Sequence, residues 1–280
     1  LAIDYARQVC CKDQCMGLVI ALVIIFGAMG VAVWHARKKD AARQALMEKP
    51  LPREWLEILD GIRLYNRVPE ELREKLHGFI QVFIAEKRFE GCRGQQMTDE
   101  IRVTVAGLAC IMILGHNRGV YPRLETVLVY PGAYLGRGKK QMSSGAVSEG
   151  DVRAGESWMR GPVIIAWDEA QAEARGEIPG RNVILHEFAH QLDQEDGFAD
   201  GQPGDSDEDQ ELQDILAEEF KEAAESYEEE PLDEYGQESM AEAFAVASEA
   251  FFEVPEELLR KHPRLYEKLK GYYGLDTANW

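Results

Sequence analysis

Val183 to Gln194 reads VILHEFAHQLDQ, and this stretch sets what the rest of the chain must supply. Val183, Ile184, Leu185, Phe188, Ala189 and Leu192 recur at helical spacing behind Gly180, which predicts a buried amphipathic helix from about Arg181 to Gln194. On such a helix His186 and His190 stand one turn apart on one face. Two imidazoles placed this way reach a single metal ion at Zn–N distances of roughly 2.0–2.1 Å. Glu187 lies between them, where the general base of a metal-assisted hydrolysis belongs. The bland alternative is a core helix whose histidines fall four apart by chance. A glutamate bracketed by the pair on an apolar helix weighs against it.

A site of this kind needs a third protein ligand. The run Ser239 to Glu249, SMAEAFAVASE, offers two carboxylates. Glu242 and Glu249 are seven apart and share a helix face with Ala245 and Val246. A carboxylate buried among apolar neighbours is unfavourable unless it is paired or bound. Glu242 also completes a Ser-x-x-Glu capping box with Ser239, in which it would only tie down the helix start. Spacing alone leaves ligand and cap equally open. Asp193 or Glu249 is expected to orient a ligand histidine by accepting its other ring N–H.

Outward from these two helices, 280 residues with 45% hydrophobic content suffice for one sizeable domain with appendages. Val127 to Tyr130 reads as a short strand stopped by Pro131-Gly132. Val163 to Trp167, behind Gly161-Pro162, reads as an edge strand. That edge would hold an extended peptide by strand addition, with Ile165, Ala166 and Trp167 at the substrate. Arg53 to Arg88 and Val103 to Leu114 read as helical. Residues 136–159 and 197–209 read as polar, glycine-rich loops. From Glu211 the chain is helical, interrupted near Pro231, Pro255 and Pro263. Strands between helices indicate α+β, a small central sheet flanked by helices.

Net charge is −19, and 25 acidic residues against one basic residue, Lys221, lie between Asp193 and Glu257. A surface of that sign excludes nucleic acid as an expected partner, because phosphate neutralisation needs Lys and Arg. Five cysteines with no C-x-x-C pair argue against a disulfide framework or a thiolate zinc site. Cys10, Cys11 and Cys15 have no assigned role. Met16 to Trp34 is 19 residues without a charge, long enough to cross a bilayer core. The expected organisation is a tail over 1–15, a transmembrane helix over 16–35, a linker over 36–52 and the catalytic domain over 53–280. Arg37, Lys38, Lys39 and Arg43 outnumber Arg7 and Lys12, so the domain is expected on the cytoplasmic side of a bacterial inner membrane, tethered by a single pass.

The runs HEFAHQLDQEDGFADG, GPVIIAWD and AEAFAVASEAFF resemble the Mlc titration factor A family of zinc peptidases, over roughly Pro52 to Tyr273. These are gluzincins distantly similar to the catalytic domain of anthrax lethal factor. The resemblance implies one zinc ion per chain held by His186, His190 and Glu242, with Glu187 as catalytic base. It implies that Tyr235, seven residues before Glu242, donates a hydrogen bond to the developing oxyanion. The implied activity is hydrolysis of short peptides from the amino end. A second implied role is capture of an Mlc-type transcriptional repressor.

Two other readings compete. Glu74–His77 and Glu187–His190 together supply the two Glu-x-x-His pairs of a di-iron helical bundle, though the strands and His186 count against it. A membrane-tethered binding protein that captures a regulator, with zinc purely structural, is the other.

Overall fold

The computed structural model describes residues 26–116, 119–132, 161–194, 207–226 and 230–280, without the side chains of 207–210. The chain divides into two compact units, Leu1–Lys49 and Pro50–Trp280. In the first, α1 covers residues 26–47 as one exposed helix. Phe26, Met29, Val31, Val33 and Trp34 are exposed along it. Residues 1–25, with the expected tail and the first ten residues of the expected span, lie outside the described residues. Among those described, no helix is long and apolar enough to cross a membrane. The stretch expected as a linker is helical as far as residue 47, and the chain breaks where Pro50 and Pro52 deny a helix its N–H donors.

The second unit is built on three short parallel strands, β1 (Arg88–Gly91), β2 (Thr126–Tyr130) and β3 (Val163–Ala166), in that spatial order. Phe89, Val127 and Val163 share one row of the register. Val127, Val129 and Ile165 are completely buried, as a parallel sheet covered by helices requires. The sequence reading missed β1. Its RFEG has one apolar residue and no alternation, and only pairing with β2 makes it a strand.

One assignment is corrected. Trp167 does not end β3; it opens α6 (Trp167–Ala174). The ladder stops at the Tyr130–Ala166 pair because Pro131 follows Tyr130 and has no N–H to continue it. Asp168 and Glu169 then place negative charge in the first helical turn, where the helix dipole favours it.

Helices cover the sheet and one another. α2 (Arg53–Asp60), α3 (Arg63–Arg67) and α4 (Glu70–Glu86) precede β1, and α5 (Asp99–Met112) follows it. α5 is buried on every side, from Val103 through Met112, because α2, α4 and a second central helix pack around it. That helix is α7 (Val183–Asp193), which meets α5, α6, β3 and, most extensively, α9 (Met240–Glu253). α8 (Asp207–Glu225) lies between α7 and α9 in sequence and packs on α9. Pro255 and Pro263 occupy the first positions of α10 (Pro255–Lys261) and α11 (Pro263–Tyr273), where a missing N–H is harmless. The expected loops fall mainly outside the described residues: all of 136–159, and 197–206 of the second. The architecture bears out a helix-rich domain around a small sheet.

Candidate metal centre

α7 starts where Asn182 caps it: the side-chain oxygen accepts the Leu185 N–H at 3.2 Å. Val183, Ile184, Leu185, Phe188, Ala189 and Leu192 then face the core, each at most 2% exposed. Phe188 rests edge-on against Tyr121, their ring centroids 4.9 Å apart. This apolar grip fixes the rotation of α7 and so the direction of its histidines. α9 is capped in the same way, with Ser239 Oγ accepting the Glu242 N–H at 3.2 Å. The capping box is therefore half-formed. The backbone of Glu242 takes the cap, while its carboxylate turns away to the histidines.

The result is a triangle of ligand atoms. Glu242 Oε2 lies 3.0 Å from His186 Nε2 and 3.4 Å from His190 Nε2, and the two Nε2 atoms are 3.2 Å apart. A tetrahedral ion with bonds of roughly 2.0–2.1 Å holds its ligand atoms about 3.3 Å apart. Among the described residues this is the group of histidine, cysteine and carboxylate side chains placed to hold a metal. The di-iron alternative loses its second half here. Glu74 and His77 are not part of the group, and His77 Nε2 is engaged with the Tyr65 hydroxyl at 2.9 Å.

The tautomer supports the same fit. His186 Nδ1 lies 2.7 Å from Glu249 Oε1. An Nδ1–H donated there leaves Nε2 as a lone pair, facing a carboxylate and a second imidazole. Three acceptors converging at about 3 Å repel one another unless a cation sits among them. With only protons available, burial works to lower the His186 pKa, but the bonds to Glu242 and Glu249 outweigh it and lift it to about 10. Glu242 falls to about 2, its burial overcome by His186 and His190. A divalent ion held by His186, His190 and Glu242 would take the place of that proton.

Glu249 thus stands behind His186, where an orienting carboxylate is expected, and lies outside the group of His186, His190 and Glu242. Its other oxygen accepts the Asn182 N–H at 2.7 Å. Asp193 is completely buried near Tyr273, close enough for its charge to raise that phenol's pKa, after burial as the main cause. Glu187 sits beside the triangle, partly buried. Burial raises its pKa, opposed by His190 and His186. Such a shift moves a carboxylate towards the range where it serves as a base near neutrality.

Tyr235 belongs to a 3-10 turn, Glu234–Gln237, whose first N–H groups are organised by Asp233: its carboxylate accepts the Tyr235 N–H at 2.9 Å. The turn brings the phenol to the site. Its hydroxyl bonds to Glu242, and its ring centroid lies 6.0 Å from that of His186. Burial, and then the charges of Glu242 and Glu238, hold its pKa far above the ordinary tyrosine value. Tyr235 stays a donor at every physiological pH.

A small cleft beside the triangle is lined by His186, Tyr235, Glu249, Glu173, Arg181 and Asp233. β3 lies at the end of the described sheet, with Ile165 and Ala166 buried and Trp167 in α6. The sequence reading missed Asn182, Glu173 and Glu253. Only Asn182 carried a signal, as an N-cap residue three before Leu185.

A model of the glucose-regulated metallo-peptidase M90 family matches residues 34–274. An uncharacterized protein of Synechocystis is 38% identical over 265 residues, covering 92% of this chain and 96% of its own length. Mlc titration factor A of Pectobacterium atrosepticum is 32% identical over 229 residues, 77% of this chain and 84% of its own. The Yersinia enterocolitica protein of the same name is 27% identical over 257 residues, 87% and 90% respectively.

Proposed function

Because this chain belongs to the glucose-regulated metallo-peptidase M90 family, we propose that it is a zinc-dependent peptidase of aminopeptidase type. The observation that carries the reading is the triangle of His186, His190 and Glu242 with Glu187 next to it on the same helix. Two neutral nitrogens and one carboxylate suit zinc, and leave it an open position. When bound, the ion supplies Lewis acidity, acidifying a water and polarising the scissile carbonyl. Glu187 takes a proton and returns it to the leaving amine. The Tyr235 O–H donates to the oxyanion as it forms. Glu249 keeps His186 in the tautomer that offers Nε2. The substrate's extended backbone lies along β3, reaching the site from Ile165 and Ala166.

Glu187→Gln tests this. The variant should bind zinc as the wild type does and hydrolyse aminoacyl and short-peptide reporters at least 100-fold more slowly. A zinc-loaded wild type that cleaves no such reporter sinks the peptidase reading. The second reading, capture of a transcriptional repressor, is favoured by the name of the relatives, Mlc titration factor A. It gains if Glu187→Gln and the wild type bind an Mlc-type repressor equally while neither cleaves peptides.

A single-pass inner-membrane address with the domain in the cytoplasm is also proposed. It rests on the uncharged run 16–34 and the basic residues after it. Recovery of the full chain in the soluble fraction of its host's cells sinks it.

A further inference from the structure

Glu242, Glu249 and Glu253 form one row along α9, at spacings of seven and four; Glu242 faces His186 and His190 of α7, Glu249 faces His186 and the cap residue Asn182, and Glu253 faces Asn182. Three carboxylates in a row, Glu249 and Glu253 buried and Glu242 half-buried, need three sources of positive potential. Glu242 has the two histidines. Glu249 has His186 Nδ1 and the Asn182 N–H. Glu253, 3% exposed, has the Asn182 side-chain amide at 2.8 Å and the Arg63 guanidinium, which also donates to the Glu253 carbonyl at 3.0 Å.

Asn182 is the node of this row. It has no exposed surface, and three of its groups are committed. Its N–H goes to Glu249, its Oδ1 takes the Leu185 N–H, and its Nδ2 donates to Glu253. Each bond fixes the others. The amide cannot flip without setting a donor against the Leu185 N–H and an acceptor against Glu253.

Resting on the metal reading above, we propose that Asn182 is a positioning residue for the metal centre, locked by Glu253. By holding Glu249 Oε2, and so aiming Oε1 at His186 Nδ1, it sets the rotation of the His186 imidazole. The path runs from Glu253, through Asn182, to Glu249 and His186. Outer partners of ligand histidines commonly control metal affinity tenfold or more.

Three variants separate this role from helix capping. Asn182→Ser keeps a cap for the Leu185 N–H and deletes only the donor to Glu253. Glu253→Ala removes the lock. Glu253→Gln keeps an acceptor for Asn182, and the half-exposed Arg63 is free to swing outward, so it should rescue. Zinc affinity is read by competition with a chromophoric chelator, at a temperature where the metal-free proteins stay folded. The visible spectrum of bound cobalt reports ligand geometry independently. Expected are a loss of about tenfold in Asn182→Ser and Glu253→Ala with altered cobalt bands, and recovery to within about threefold in Glu253→Gln. If Asn182→Ser fails to fold, the two Glu253 variants decide alone. Zinc affinity and cobalt bands like the wild type's in Glu253→Ala overturn the proposal while leaving the metal centre standing. A wild type that binds no zinc overturns both.

Discussion

Glu249 holds the His186 imidazole from behind, at 2.7 Å from Nδ1, and uses its second oxygen on the Asn182 N–H at the same distance. Both oxygens are acceptors, so no neutral isostere reproduces the pair. Glu249→Ala should weaken zinc binding by about 10–100-fold. Glu249→Gln should restore little, because its NH2 group would face a donor. Zinc competition titrations check this. Full rescue by glutamine means that one of the two bonds does not matter.

Tyr235→Phe isolates the phenol. Its hydroxyl bonds to Glu242, and its ring lies beside His186. Loss of one oxyanion donor costs about 10²–10³ in kcat. Zinc affinity should stay within a few-fold of the wild type and KM should change little. Equal activity of the two proteins assigns Tyr235 a purely structural role.

The legible parts of this molecule were those with local signatures. α7 was readable because its apolar period and its two histidines lie within a dozen residues. β2 and β3 were apolar runs bounded by Pro and Gly. β1 was not readable, since RFEG becomes a strand only when Thr126–Tyr130 is there to pair with it. Trp167 was misplaced because its aromatic ring suits a strand, whereas Pro131 on the neighbouring strand ends the ladder. Glu242 was ambiguous between cap and ligand for a sound reason: backbone and side chain take one part each. Glu253 and Glu173 could not be picked out. Their partners, Arg63, Asn182 and Val183, lie 190, 71 and 10 residues away.

Gly236 sits directly after Tyr235 and is packed under the ring of Phe220 on α8; a Cβ there would run into that ring. Gly236→Ala should push the 3-10 turn off α8 and carry the Tyr235 hydroxyl with it. The expected outcome is a stability loss of about 1–3 kcal/mol together with a kcat loss approaching that of Tyr235→Phe. Trimming the obstacle in Phe220→Leu/Gly236→Ala should return part of the activity, even if stability falls further. A Gly236→Ala variant with unchanged kcat shows that the turn absorbs the methyl without moving the phenol.

Glu173 provides a pH test away from the ligands. Its carboxylate accepts the Val183 N–H at 2.6 Å at the start of α7 and is 6% exposed. Burial raises its pKa from 4.5 to about 7, opposed by that bond and by Arg181, and reinforced by Glu249 and Glu169. The sign follows from linkage. A carboxylate with a raised folded-state pKa favours the protonated native state, so it costs nothing below pH 4.5. The penalty grows as pH rises towards 7 and is constant above. A shift of that size corresponds to on the order of 3 kcal/mol. Glu173→Gln keeps an oxygen for the Val183 N–H and has no charge to bury. Relative to the wild type, it should gain stability steadily from pH 4.5 to 7 and hold the gain at pH 8. Paired denaturant melts of metal-free protein across that range measure the difference, with all other titrations common to both. Parallel curves mean that Glu173 ionises in the folded protein as it does in the unfolded chain.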